Sequence, residues 1–245
     1  MLSTTTLLQL PVIVTSLWNG KNPLSTPKRR YESPRRAEQA QQTRAAVTDA
    51  ARRLFLRDGF AATTIASVAA EARVSVETIY KAFGGKPGLV RAVCERALAG
   101  PGPIPAETRS DELQLTEPDP REIIRGWGVL TAEVAPRVAP ILLLLRAAEA
   151  ADPQMAGLRA ELDASRLRRM TGNARTLAEA GHLRAGITVE HAGEVMWTYS
   201  SPELYELLVL GRGWPSGRYG AFIADAMIAA LLPPEPPARQ ASQRR

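Results

Sequence analysis

The sequence predicts an all-α protein, and three observations lead there. Apolar residues recur at three- and four-residue spacing through most of the 245 residues. The composition is 45% hydrophobic but only 5% aromatic, which suits helices packed closely together. No run of alternating β-branched residues bounded by hairpin turns stands out. A chain of this length holds an ample core and forms one large or two small domains.

Residues 1–36 are expected to be a disordered basic extension, or an upstream stretch from an early start codon. Their one apolar run, Leu7 to Trp18, is broken by Pro11 and Thr15. It is too short to span a bilayer and lacks the flanks of a secretory signal, so no membrane partner is expected. The basic clusters Lys28-Arg29-Arg30 and Arg35-Arg36 suit an arm along phosphates as well as they suit a solvated tail.

Residues 37–100 read as four helices. The first runs from about Ala37 to Asp58, with Val47, Ala51, Leu54 and Phe55 on one face, and Gly59 ends it. Two short helices then meet at a sharp turn. Ile65, Val68, Ala69 and Ala72 recur at helical spacing, Arg73-Val74-Ser75 interrupts them, and Val76, Ile79 and Phe83 resume the pattern. Thr64 and Ser75 stand where N-caps belong. This is a helix-turn-helix arrangement, although the pattern alone also fits an ordinary αα-hairpin. Gly84-Gly85 closes the second short helix, and Lys86-Pro87 opens a fourth, amphipathic one.

Gly100-Pro101-Gly102-Pro103 breaks the helical pattern, and residues 101–118 are expected to be a linker. Residues 119–232 are helical again. Segments are expected at 120–134, 136–150, 153–180, 188–200, 202–211 and 216–232, and residues 233–245 form a disordered tail. No catalytic arrangement appears in this half. His182 follows a helix-capping glycine and His191 begins a helix, which are ordinary surface positions.

Charge is unevenly spread. Residues 1–100 hold 15 Lys+Arg against 7 Asp+Glu, and residues 101–245 hold 16 against 18. The basic half is the one with the helix-turn-helix, and such a field attracts a polyanion. A single cysteine, Cys94, excludes an internal disulfide, and with two histidines no metal site or cofactor is expected. A reducing cytoplasm is the expected compartment.

The string VSVETIYKAFGGK, preceded by RRLFLRDGFAATT, resembles the TetR family of bacterial transcriptional repressors, without a gap from about Val47 to Lys86. The resemblance implies a three-helix DNA-binding domain joined to a larger helical ligand-binding and dimerisation domain. Its recognition helix would be Val76 to Phe83, lying in the major groove. Val76, Glu77, Thr78 and Lys81 would then face base edges, while Thr64, Tyr80 and Lys86 hold phosphates. Arg73 and Ser75 belong to the same DNA-binding set. Two departures stand out: Arg73 occupies a turn position where the family often has glycine, and Ala82 replaces a commonly larger side chain.

By the same resemblance the chain is a repressor released from double-stranded operator DNA by a small-molecule effector, and a homodimer through residues of about 188–232. Trp127, Leu142, Leu145, Met170, Met196, Trp197 and Tyr199 are the candidates for the pocket wall, although residues of this kind at helical spacing also simply pack. Effector binding would shift the population of dimers away from one whose half-sites lie about 34–36 Å apart. The alternatives are a constitutive DNA-binding protein with no ligand, and an all-α enzyme.

Overall fold

The computed structural model describes residues 34–235, so the readings made for residues 1–33 and 236–245 lie outside it. Ten α-helices make up the described part: α1 (Pro34–Ala62), α2 (Ile65–Ala72), α3 (Val76–Phe83), α4 (Lys86–Ala99), α5 (Ala106–Thr116), α6 (Pro120–Ala148), α7 (Pro153–Glu179), α8 (Val189–Tyr199), α9 (Pro202–Tyr205) and α10 (Ser216–Leu231). A π-helical turn, Glu206–Leu210, continues α9. Among the described residues there is no strand.

The helices organise two cores. The first joins α1 to α4 through Val47, Leu54, Phe55, Val68, Ile79, Leu89 and Val90, and it also takes in Ile141 and Leu145 of α6 and Met155 and Leu158 of α7. The second is built from Ile123, Ile124 and Trp127 of α6, Ala174 and Leu177 of α7, Met196 of α8, Tyr205 of α9 and Tyr219, Ile223 and Met227 of α10. Helix α6 therefore serves both, its N-terminal half in one core and its C-terminal half in the other. It is long and apolar enough to cross a membrane by length and composition. Here it packs against α1, α4, α5, α7, α9 and α10.

Several bounds differ from those the sequence suggests. Helix α1 begins at Pro34, and its helical backbone is interrupted at Gly59, whose φ of 81° only glycine adopts readily. Residues 101–118, read as a linker, contain α5. Its Ala106 and Ser110 are buried, and Arg109 and Arg169 tie it to neighbouring helices. The two helices expected at 120–134 and 136–150 are one, with Pro136 and Pro140 inside it. The segment expected at 202–211 divides into α9 and the π-helical turn.

Helices α6 and α10 approach each other closely. A Cβ on Gly128 would lie 2.5 Å from the Gly220 carbonyl oxygen and 2.8 Å from Ala224 Cβ. A Cβ on Gly220 would lie 2.8 Å from Ala132 Cβ. The missing side chains let two backbones touch, with Trp127 and Tyr219 filling the space beside them.

Candidate nucleic-acid interface and buried cavity

Helices α2 and α3 are each eight residues long, too short to persist alone, and local capping fixes both starts. Thr64 Oγ1 accepts from the Ser67 amide at 3.0 Å, and Ser67 Oγ accepts from the Thr64 amide at 3.0 Å, a reciprocal capping box. Ser75 Oγ accepts from the Thr78 amide at 3.1 Å and lies 2.8 Å from Thr78 Oγ1. The Thr78 hydroxyl is thereby held in place.

The turn between the two helices runs through Arg73, whose φ of 55° and ψ of 44° are left-handed. It is the one non-glycine residue with positive φ among the described residues. A side chain there costs roughly 1–2 kcal/mol. The Val74 amide donates to Ala69 O at 3.0 Å and closes the turn.

With Ile79 fully buried, α3 presents Val76, Glu77, Tyr80 and Lys81 to solvent and Thr78 at the boundary. Val76 is 41% exposed and Tyr80 54%, which no packing requirement explains. Arg44 binds the end of this helix, its Nη1 donating to Ala82 O at 2.8 Å and its guanidinium lying 4.5 Å from the centroid of the Phe83 ring. Lys86 is half-buried with Nζ 4.0 Å from the Phe60 centroid, and Phe60 stacks on Phe55. Burial lowers the Lys86 pKa, and Asp152 partly offsets the shift.

This domain is an outward-facing second helix held on a capped, left-handed turn. A family model described as "Bacterial regulatory proteins, tetR family" matches residues 47–93, the stretch just described. That stretch carries the signature of the TetR-family DNA-binding domain. The match marks it as a helix-turn-helix DNA-binding domain, and a larger helical domain follows it. No curated protein sequence matches it.

Among solved structures it is similar to the SmeT–triclosan complex, at 20% identity over 80% of this chain and 99% of that one, with a TM-score of 0.61. It is also similar to the fatty acid degradation regulator FadR from Bacillus halodurans, at 14% identity over 76% and 94% with a TM-score of 0.62. A third is a transcriptional regulator from Saccharomonospora viridis in complex with choline, at 18% identity over 79% and 100% with a TM-score of 0.59. At such identities the likeness is one of fold.

The larger domain, with the end of α4, lines a cavity of about 340 Å³ among α4 to α10 that is partly open to solvent. Of the residues predicted for a pocket, Trp127, Leu142, Met170 and Met196 line it. The other three are placed elsewhere. Leu145 is buried in the first core, Trp197 lies under the Arg166 guanidinium at 4.6 Å from its ring centroid, and Tyr199 packs against the second core. Leu145 sits three residues beyond Leu142 on the same face of α6, one turn further into the first core, against which Leu142 also packs.

Sequence reasoning missed Arg166, Tyr205 and Tyr219, which also line the cavity. Tyr205 and Tyr219 meet edge to face, with centroids 5.6 Å apart. Their place beside the Ser201-Pro202 and Gly213-Trp214-Pro215 breaks could have drawn attention. Arg166 donates to the Trp197 carbonyl at 2.6 Å and to Asp163 at 3.2 Å, and burial lowers its pKa. Arg169 pairs with Glu107 at 3.4 Å and Asp111 at 2.6 Å. Cys94 also reaches the wall, and burial pushes its thiol up to about 12. Among the described residues no group of three or more His, Cys, Asp or Glu is placed to hold a metal ion.

Proposed function

We propose that the protein is a repressor in the cytoplasm whose homodimer binds a two-fold-symmetric operator and is released from it by a small molecule in the cavity. The observation that carries this reading is the double membership of α6. Its residues Trp127 and Leu142 line the cavity, while Ile141 and Leu145 belong to the core of the DNA-binding domain. A ligand that moves α6 therefore acts on the seat of α3. A constitutive DNA-binding protein has no use for such a cavity.

Within the DNA-binding domain, Val76, Glu77, Thr78 and Lys81 choose the sequence. Thr64, Arg73, Tyr80 and Lys86 hold the backbone, and Ser75 orients Thr78. The second copy docks on residues of about 188–232. Support for that face comes from Leu207 and Leu210, 61% and 56% exposed, and from Phe222, which meets Trp214 at 5.6 Å. Apolar side chains so exposed favour a covering partner.

DNA from upstream of the protein's own gene, tested by gel shift at low salt, is expected to be retarded and to be released as salt rises. Footprinting should show two protected half-sites with centres about 34–36 Å apart or a little more. Failure to retard that DNA at low salt would overturn the proposal.

A further inference from the structure

The cavity is not uniformly greasy. Tyr205 and Tyr219 are 5% and 1% exposed, both line it, and among the described residues neither hydroxyl has a hydrogen-bond partner. Neither oxygen is sealed inside protein, in contrast to the indole nitrogens of Trp127 and Trp197. Each is therefore a donor offered to whatever fills the space. Burial raises both phenols, Tyr219 to about 12, so both carry their protons at physiological pH. Arg166 is close enough for its charge to act on Tyr219, and a guanidinium only donates. The polar end of the cavity is thus rich in donors.

The arginines in the wall already have carboxylate partners, although Arg166 Nε is left as one more buried donor without an acceptor. Arg166 pairs with Asp163 at 3.2 Å, and Arg169 pairs with Glu107 and Asp111. A carboxylate or ammonium entering the cavity would lose its hydration without a free counter-ion to replace it. A purely apolar molecule would displace water from two phenol donors and leave them unpaired, which is costly in a buried site.

We infer that the effector is an uncharged, largely apolar molecule bearing a hydrogen-bond-accepting oxygen, such as a ketone, ester or ether, with that oxygen held by the hydroxyls of Tyr205 and Tyr219. The apolar remainder lies along Trp127 and its neighbours, and a space of about 340 Å³ suits a body of small-ligand size. The inference rests on the reading that the cavity takes an effector, and it adds what the cavity selects.

Three probes on one frame test it: 2-acetylnaphthalene, 2-ethylnaphthalene and 2-naphthoate, titrated calorimetrically into the full chain. The acetyl compound is expected to bind about tenfold more tightly than the ethyl compound, the effect of one or two hydrogen bonds gained. It should also bind more tightly than the naphthoate. Tyr219→Phe and Tyr205→Phe, checked for unchanged helicity, should each shrink the acetyl preference while leaving 2-ethylnaphthalene affinity as it was. Equal binding of the acetyl and ethyl compounds, no binding by either, tightest binding by the naphthoate, or equal loss for all probes in the phenylalanine variants would overturn the inference. DNA release is read separately by gel shift. Preferential acetyl binding with no release upholds the selectivity and defeats ligand gating, whereas release by acetyl and ethyl compounds alike does the reverse.

Discussion

Replacing Gly128 by alanine turns the α6–α10 crossing into a measurement. In an unobstructed helix interior, glycine to alanine stabilises by roughly 0.5–1 kcal/mol, because glycine has more backbone entropy to lose. At Gly128 the new methyl would sit 2.5 Å from the Gly220 carbonyl oxygen and 2.8 Å from Ala224 Cβ. Ordinary contact begins at 3.4 Å, so the helices must part by about 0.9 Å along that line. Neither helix yields easily, since the carbonyl is backbone and Tyr219 and Ile223 beside it are buried. Overpacking of this kind costs about 1–3 kcal/mol, which outweighs the propensity gain. Gly128→Ala is therefore expected to destabilise by about 1–2 kcal/mol in urea denaturation monitored by circular dichroism. Gly172→Ala is the control. A Cβ there meets nothing within 4 Å, and the change should stabilise by about 0.5–1 kcal/mol. If both substitutions stabilise alike, the close crossing is not as described.

Lys86→Ala should weaken binding to all DNA sequences similarly and reduce the salt slope by about one, whereas Thr78→Ala should change base preference in a selection of operator variants. Arg73→Gly removes a side chain from left-handed backbone and should raise stability by about 1 kcal/mol in thermal melts, with weaker DNA binding if the guanidinium holds a phosphate. The Cys94 thiol has an ordinary pKa of 9.0 and a native one near 12, so between those values the unfolded chain has lost a proton that the folded chain keeps. Stability should accordingly fall as pH rises from 9 toward 12, and Cys94→Ala should flatten that decline in denaturation curves taken across the range.

The helix-turn-helix was legible because its signals are local: Thr64 and Ser75 as caps, Ile79 at the right spacing, Gly84 as a terminator. The strained turn was legible for the same reason, since Arg73 stands where the chain must reverse. The interior of the larger domain was less so. Pro136 and Pro140 argue for a break, as each lacks an amide and disfavours helix by about 3 kcal/mol. Buried partners in two cores on either side of them outweigh that loss. Helix α5 has no apolar stripe to announce it, and it is held by contacts made elsewhere, such as Arg109 with Glu133 and Leu113 against Gly126. The cavity was half legible. Trp127, Leu142, Met170 and Met196 follow from helical spacing, whereas the tyrosines of α9 and α10 come together only through the π-helical turn and the loop after it.

The sharing of α6 has a consequence for how the molecule folds. A fragment ending near residue 100 would keep α1 to α4 but lose Ile141, Leu145, Met155 and Leu158, four side chains between 0% and 4% exposed in the same core. At about 1.5–3 kcal/mol for each large apolar side chain, that loss rivals the entire stability of a small domain. The DNA-reading part is thus a unit of function without being a unit of folding, and the whole chain should melt in one transition. An operator-binding module cut from this protein would have to carry the far end of α6 and the start of α7 with it.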